Sequence, residues 1–197
     1  MSPFTRANYI DVITNSLSYL KSQVELNNAI NKYSINIEAE DFYAGFLNEV
    51  FGFKLKNGNH SEKNIPAIDL YEEYSSNNVQ RVAVQVTSNN KAAKITKTLE
   101  SFSEHGYQSL YTRLIILMIT DKKKYRTDFS AAGAIGIEFD PKRDILDIND
   151  LLKYIDSIED IEHIRRIYEY LNKHLFSVLL SSSSRNAVYV TELLLLH

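Results

Sequence analysis

The sequence predicts an α/β domain: a mixed sheet laid down in the order α-β-β-β-α-β, flanked by helices at both ends of the chain. Three observations carry this. Apolar residues recur at three- and four-residue steps from Ala7 to Lys32 and again beyond Ile148, which is helical periodicity. The middle of the chain holds short runs rich in Val, Ile and Leu, "AIDL", "VAVQV" and "RLIILMIT", set between Asn-, Ser- and Gly-rich segments, which is strand and turn chemistry. One amphipathic stretch separates "VAVQV" from "RLIILMIT", so those two strands are expected to run parallel across a helical crossover.

Element by element, Ile10, Ile13, Leu17, Leu20, Val24 and Ile30 mark the buried stripe of a first helix. A second helix fits Asp41 to Phe51, with Phe42, Phe46, Leu47, Val50 and Phe51 inward and Gly52 as its stop. Strands are expected at Phe53 to Leu55, Ala67 to Glu72 and Arg81 to Thr87, with turns at Lys56 to Asn64 and Ser75 to Asn78. These three strands, joined by short connections, form an antiparallel meander. Ser88 to Asn90 offer N-cap side chains for a helix from Lys91 to Glu104, whose seam is Ala92, Ile95, Leu99 and Phe102. Arg113 to Thr120 is apolar almost throughout and reads as a central strand buried on both faces. Ala134 to Phe139 is expected to add another strand, and helices are expected at Ile148 to Ile158 and Glu159 to Leu180.

Composition narrows the function classes. A 44% hydrophobic and 24% charged chain has enough apolar surface for an ordinary core. The absence of cysteine excludes disulfides and thiolate zinc sites and fits a reducing cytoplasm. The five histidines show no metal-ligand spacing. No run approaches the roughly 18 apolar residues of a membrane span, and the N-terminus turns polar too early for a signal peptide. A net charge of −3 argues against coating nucleic acid by bulk charge, while leaving local basic contacts open.

Two strands carry a polar residue where a core prefers valine. Side chains alternate across a strand, so in "VAVQVTS" the residues Val82, Val84 and Val86 share one face, and Ala83, Gln85 and Thr87 the other. If "IPAIDL" is the hairpin partner, Asp69 lies beside Gln85 on the same face. A carboxylate and an amide carbonyl that converge are oxygen ligands for a hard cation, and the Val86 carbonyl is a third. A solvent-facing polar pair in an antiparallel sheet is the competing reading.

Taken in order, "EAEDFYAGFLNEVFGFKL", "IPAIDL" and "VAVQVTS" resemble the three signature parts of the restriction-endonuclease-like, or PD-(D/E)XK, nucleases: a helix acid, an aspartate on the second strand, and (E/Q)-x-K on the third. The glutamine version is most similar to the Mrr-like branch. The spaced motif N-x-P-A-I-D-L … Q-V-T-S … K-I-x-K-T also resembles the SMEK domain of bacterial proteins, over about Ile30 to Ile155. The resemblance implies a restriction-endonuclease-like αβββαβ core and a Mg²⁺- or Mn²⁺-dependent endonuclease acting on DNA, in a bacterial defence setting. It makes Asp69 the central metal ligand and Gln85 the second. It makes Glu40 or Asp41 the helix acid that orients a water, the register leaving both open. Thr87 stands where the superfamily has its lysine. Lys91 or Lys94, early in the following helix, then becomes the cation that offsets charge on phosphate. Without such a lysine, the implied alternative is a catalytically inactive module for nucleic-acid or protein recognition or for oligomerisation.

Other features read two ways. Lys122, Lys123, Lys124 and Arg126 around Tyr125 suit phosphate contacts or a solvated loop. Tyr71, Tyr74, Tyr107 and Tyr111 suit base stacking or half-buried packing, and Asn57, Asn59 and Asn64 suit a cleft lining or turn chemistry. The expected organisation is an N-terminal helical element over 1–36, an α/β core over 37–141, C-terminal helices over 142–180, and a linker with an apolar tail over 181–197. The helical flanks offer faces for a homodimer, and the Ser-rich stretch suits a junction to a further domain.

Overall fold

The computed structural model describes residues 5–32, 34–58, 65–73, 81–129, 136–137 and 139–182. Helices α1 (Arg6–Ala29) and α2 (Ser34–Phe51) precede strands β1 (Leu55–Asn57), β2 (Leu70–Glu72) and β3 (Val82–Thr87). Helix α3 (Ala92–Glu104) leads to β4 (Arg113–Met118). A short turn of helix, α4 (Pro141–Asp144), then precedes β5 (Ile145–Asp147), α5 (Ile148–Asp156) and α6 (Ile161–Ser182). No helix among the described residues is long and apolar enough to cross a membrane.

The five strands form one open mixed sheet in the order β1-β2-β3-β4-β5. β1, β2 and β3 make the antiparallel meander, and β3–β4 and β4–β5 are parallel. Helices cover both faces. Val82, Val84, Val86, Ile115 and Leu117 pack against α1, α2, α5 and α6, whereas Ala83, Leu114, Ile116 and Met118 pack against Ile95, Leu99 and Phe102 of α3. Every residue of β3 is therefore buried: one face is all valine, and the other buries Gln85 and Thr87 beside Ala83. α2 ends where Gly52, at φ 72°, donates its N–H to Asn48 O at 2.9 Å, a left-handed stop that a residue without Cβ adopts freely.

β2 is only three residues long, and carboxylates extend its pairing. Glu72 accepts from the Lys54 and Val82 N–H groups, each at 3.0 Å, so it ties the start of β1 to the start of β3. Close approach of α2 and α6 depends on Gly45, where a Cβ would collide with the Tyr170 ring. The Tyr170 hydroxyl instead donates to Phe42 O at 2.9 Å.

Several boundaries differ from the sequence expectation. α2 starts seven residues earlier than Asp41, at Ser34. The first strand lies at Leu55–Asn57 rather than Phe53 to Leu55, and β2 begins at Leu70 because Pro66 and Ala67 belong to a turn. Of the expected strand at Ala134 to Phe139, the described residues 136, 137 and 139 are not strand. The fifth strand is Ile145–Asp147, three residues wedged between two helices and too short to show a period of two. Ser181 and Ser182 close α6 instead of opening a linker, and residues 183–197 lie outside the described residues, as do Asn59, Asn64, Tyr74 and the Ser75 to Asn78 turn.

Candidate functional site

Pro66 and Ala67 set up the site. Ile68 N–H reaches back to Ile65 O at 3.5 Å, with Pro66 next in the turn and Ala67 at φ 63°, the arrangement of a type II turn. A positive φ is costly for alanine. The turn delivers Asp69 to the β3 edge, where its N–H donates to Val84 O at 2.9 Å and its carbonyl accepts from Gly58 N–H at 2.7 Å.

The Asp69 carboxylate then takes the place of a backbone partner. Oδ2 accepts the Val86 N–H at 2.7 Å and also the Gln85 side-chain amide. The same Gln85 Nε2 donates to the Val86 carbonyl at 3.2 Å. Asp69, Gln85 and Val86, joined in the sequence reading by alternation, hairpin adjacency and the family resemblance, thus form one hydrogen-bonded cluster. Burial pushes the Asp69 carboxyl up to about 6 from 3.8, against the opposing pull of the Val86 N–H, the Lys94 charge and the Gln85 amide.

Gln85 opens onto a cleft of about 540 Å³ between the β2 turn and α3, lined by Pro66, Ala67, Asn89, Lys91, Lys94 and Lys97 among others. Lys91, Lys94 and Lys97 recur every third residue and keep to one side of the helix. Lys97 was missed by the sequence reading, although that spacing was its signal. Asp69 is not in the lining; it stands behind Gln85.

Thr87, in the place of the expected lysine, is buried and accepts the Asn89 N–H at 3.1 Å. It shapes the β3–α3 turn. Asn89 holds the Lys91 N–H at 3.1 Å, and α3 starts at Ala92 with Lys91 at its N-cap and no side-chain cap, a correction to the expected capping by Ser88 to Asn90. Asp41 accepts from Asn57 Nδ2 at 2.7 Å. Asn57 pairs with Leu70 in the sheet, so Asp41 reaches the same end of the sheet from the α2 side, with half-buried Glu40 before it. Among the described residues no three His, Asp or Glu side chains gather into a metal cage.

The basic run divides. Lys122 is engaged internally, with Nζ 2.5 Å from Asp150 and 2.9 Å from Ile145 O. Lys123, Lys124 and Arg126 are exposed. Tyr125 ties this loop to the β3–α3 turn by donating to Asn90 O at 3.1 Å. Tyr107 packs on Phe102, and Tyr111 lies under the Arg81 guanidinium, so both do packing work.

No curated protein and no solved structure shows significant similarity to the chain. The family model of the SMEK domain matches residues 12–156, a span that contains the β2 turn, β3, the lysine-bearing face of α3 and the whole sheet. The chain therefore belongs to the SMEK domain family.

Proposed function

We propose that this SMEK domain is a restriction-endonuclease-like, PD-(D/E)XK-type nuclease that hydrolyses DNA phosphodiester bonds with Mg²⁺ or Mn²⁺ at Asp69, Gln85 and the Val86 carbonyl. The observation that carries the reading is the Gln85 amide nitrogen, which donates at once to Asp69 and to Val86 O. It occupies the point toward which two candidate ligand oxygens converge. Turning the amide over brings Oε1 to that point instead. One carboxylate, one amide and one carbonyl suit Mg²⁺, which uses one or two carboxylates and keeps several waters. When bound, such a cation polarises a phosphoryl oxygen and lowers the pKa of a coordinated water.

The chain's own residues supply the rest. Lys94 acts electrostatically on Asp69 and lines the cleft, so it is the residue that offsets charge on the reacting phosphate. Lys91 and Lys97 hold the flanking backbone, and the exposed Lys123, Lys124 and Arg126 extend the basic surface past the β3–α3 turn. The cleft lies at the C-terminal end of β3, which is where ligands bind in open α/β sheets.

A second reading, a catalytically inactive recognition module, is favoured by the single carboxylate in the cluster and the lack of a three-acid cage among the described residues. Plasmid and single-stranded DNA cleavage in Mg²⁺ and in Mn²⁺ separates the two. Wild type is expected to cut, and Asp69→Asn, Gln85→Ala and Lys94→Ala to lose on the order of 100-fold or more. Equal cutting by wild type and Asp69→Asn, or none with either metal, removes the nuclease reading.

A further inference from the structure

Helix α1 carries two apolar stripes. Ile13, Leu17, Leu20 and Val24 are fully buried, whereas Tyr19, Leu26 and Ile30 are 44%, 62% and 63% exposed. Steps of seven and four residues bring the exposed three into one line, about a third of a turn from the buried stripe. Scattered apolar residues on a surface are ordinary. Aligned along the C-terminal half of one helix, these form an apolar face open to solvent among the described residues.

The other end of the chain leads to that face. His163 Nε2 lies 2.7 Å from Glu49 O, and the Tyr170 hydroxyl donates to Phe42 O at 2.9 Å. Seven residues forward on α6 match seven back on α2, so the two helices run antiparallel in register. Followed further, that register carries the last turns of α6 past Ser34, where α2 begins. Ser34 comes four residues after Ile30, the C-cap of α1. The end of α6 and the exposed end of α1 therefore share one end of the helical layer. From Ser182 the chain continues as SSRNAVYVTELLLLH, in which Leu193 to Leu196 are consecutive leucines. The ten residues from Ser183 to Glu192 span up to roughly 33 Å when extended. That is about twice the ~17 Å of helix from Tyr19 to Ile30.

We propose that the Leu193 to Leu196 run docks on the α1 face formed by Tyr19, Leu26 and Ile30, closing the C-terminal segment back onto the domain. A second copy of the chain is the competing occupant, and size argues against it. Three side chains present only a few hundred Å², whereas a stable interface between separate chains buries about 800 Å² on each partner. A tethered segment needs less, because its local concentration is already roughly millimolar. Ser22 and Gln23, which flank the face, are uncharged, so the leucines bury no ionised group there. The face shares no residue with the Asp69 cleft and does not depend on the nuclease reading.

The chain has no cysteine, so a disulfide between two introduced thiols reports the docking directly. In the full chain, Glu192→Cys is placed beside the leucine run and paired with either Gln23→Cys or Glu25→Cys. Gln23 stands between Tyr19 and Leu26 on the face, and Glu25 is exposed on the other side of the helix. The two are nearly level along α1, so a segment that does not dock reaches both alike. Under mild oxidation the Gln23→Cys pair is expected to close within one chain at least about ten-fold faster than the Glu25→Cys pair. Leu26→Ser, a change at an exposed position, should slow it to the Glu25→Cys rate while leaving the circular dichroism unchanged. Equal rates at the two positions overturn the proposal, and so does a Gln23→Cys rate unmoved by Leu26→Ser. Disulfides that form between chains, with a light-scattering mass that doubles with concentration and falls back in Leu26→Ser, assign the face to a second copy and overturn it as well.

Discussion

The side-chain amide of Gln85 donates to the carboxylate of Asp69, and both groups sit against the Val86 peptide, one on its carbonyl and the other on its N–H. The carboxylate is held in place by a backbone N–H yet is largely withdrawn from water, and its carboxyl is pushed up to about 6 by that burial. Polar residues that oppose stability in this way are commonly kept for function.

The raised value fixes the sign of a pH effect. Protonated Asp69 is favoured in the fold, so its contribution to stability is fully present below 3.8 and is lost as pH rises through about 6. Asp69→Asn removes that loss. Urea denaturation is expected to find the variant more stable than wild type above pH 7, by on the order of 1–3 kcal/mol, with the difference vanishing near pH 4. A wild-type stability that is flat between pH 4 and 7 contradicts this assignment.

Cation binding has a readout separate from cleavage. If Asp69, Gln85 and Val86 O hold Mg²⁺ or Mn²⁺, saturating cation stabilises the wild type at pH 7 by about 1.4 kcal/mol at ten times Kd. Thermal melts of Asp69→Asn should show no such shift. An identical shift in both proteins places the cation elsewhere.

Glu72 should behave as a structural carboxylate. Glu72→Ala leaves the buried Val82 N–H and the Lys54 N–H without their acceptor, at a cost of about 2–4 kcal/mol. Glu72→Gln keeps one acceptor oxygen and should cost less, and neither change should abolish the response to Mg²⁺. Chemical denaturation with and without the cation measures both effects.

At the α2–α6 crossing, Gly45→Ala forces a methyl group into the Tyr170 ring and is expected to destabilise by about 1–3 kcal/mol. In the Tyr170→Ala background the same change should cost much less, since the obstructing ring is gone. Additive losses in the double-mutant cycle would show that the ring is not what excludes a Cβ.

Much of the fold was legible because its elements announce themselves locally. β3 and β4 are long, valine- and isoleucine-rich and flanked by turn residues, and the meander followed by a helical crossover settles which neighbours run parallel. β5 was not legible, since three residues between helices carry no period and join the sheet only by pairing with β4. The meeting of Asp69 and Gln85 followed from alternation and hairpin adjacency. The fate of Asp41, drawn to Asn57, and of Thr87, drawn to Asn89, did not, because a side chain's partner depends on which segments the fold brings near.

By itself, then, the sequence determined an α/β chain with its antiparallel meander and parallel crossover, its buried central strands, its SMEK motifs and a polar pair on one strand face, all of them properties of spacing over a few residues. Only the tertiary structure decided that the Gln85 amide closes on Asp69, that Lys97 joins Lys91 and Lys94 along one cleft, that Lys122 is taken up by Asp150, and that Phe51, Arg113 and Tyr154 line a second cleft. Those residues are up to a hundred positions apart. What unites them is packing across the sheet, which no local period encodes.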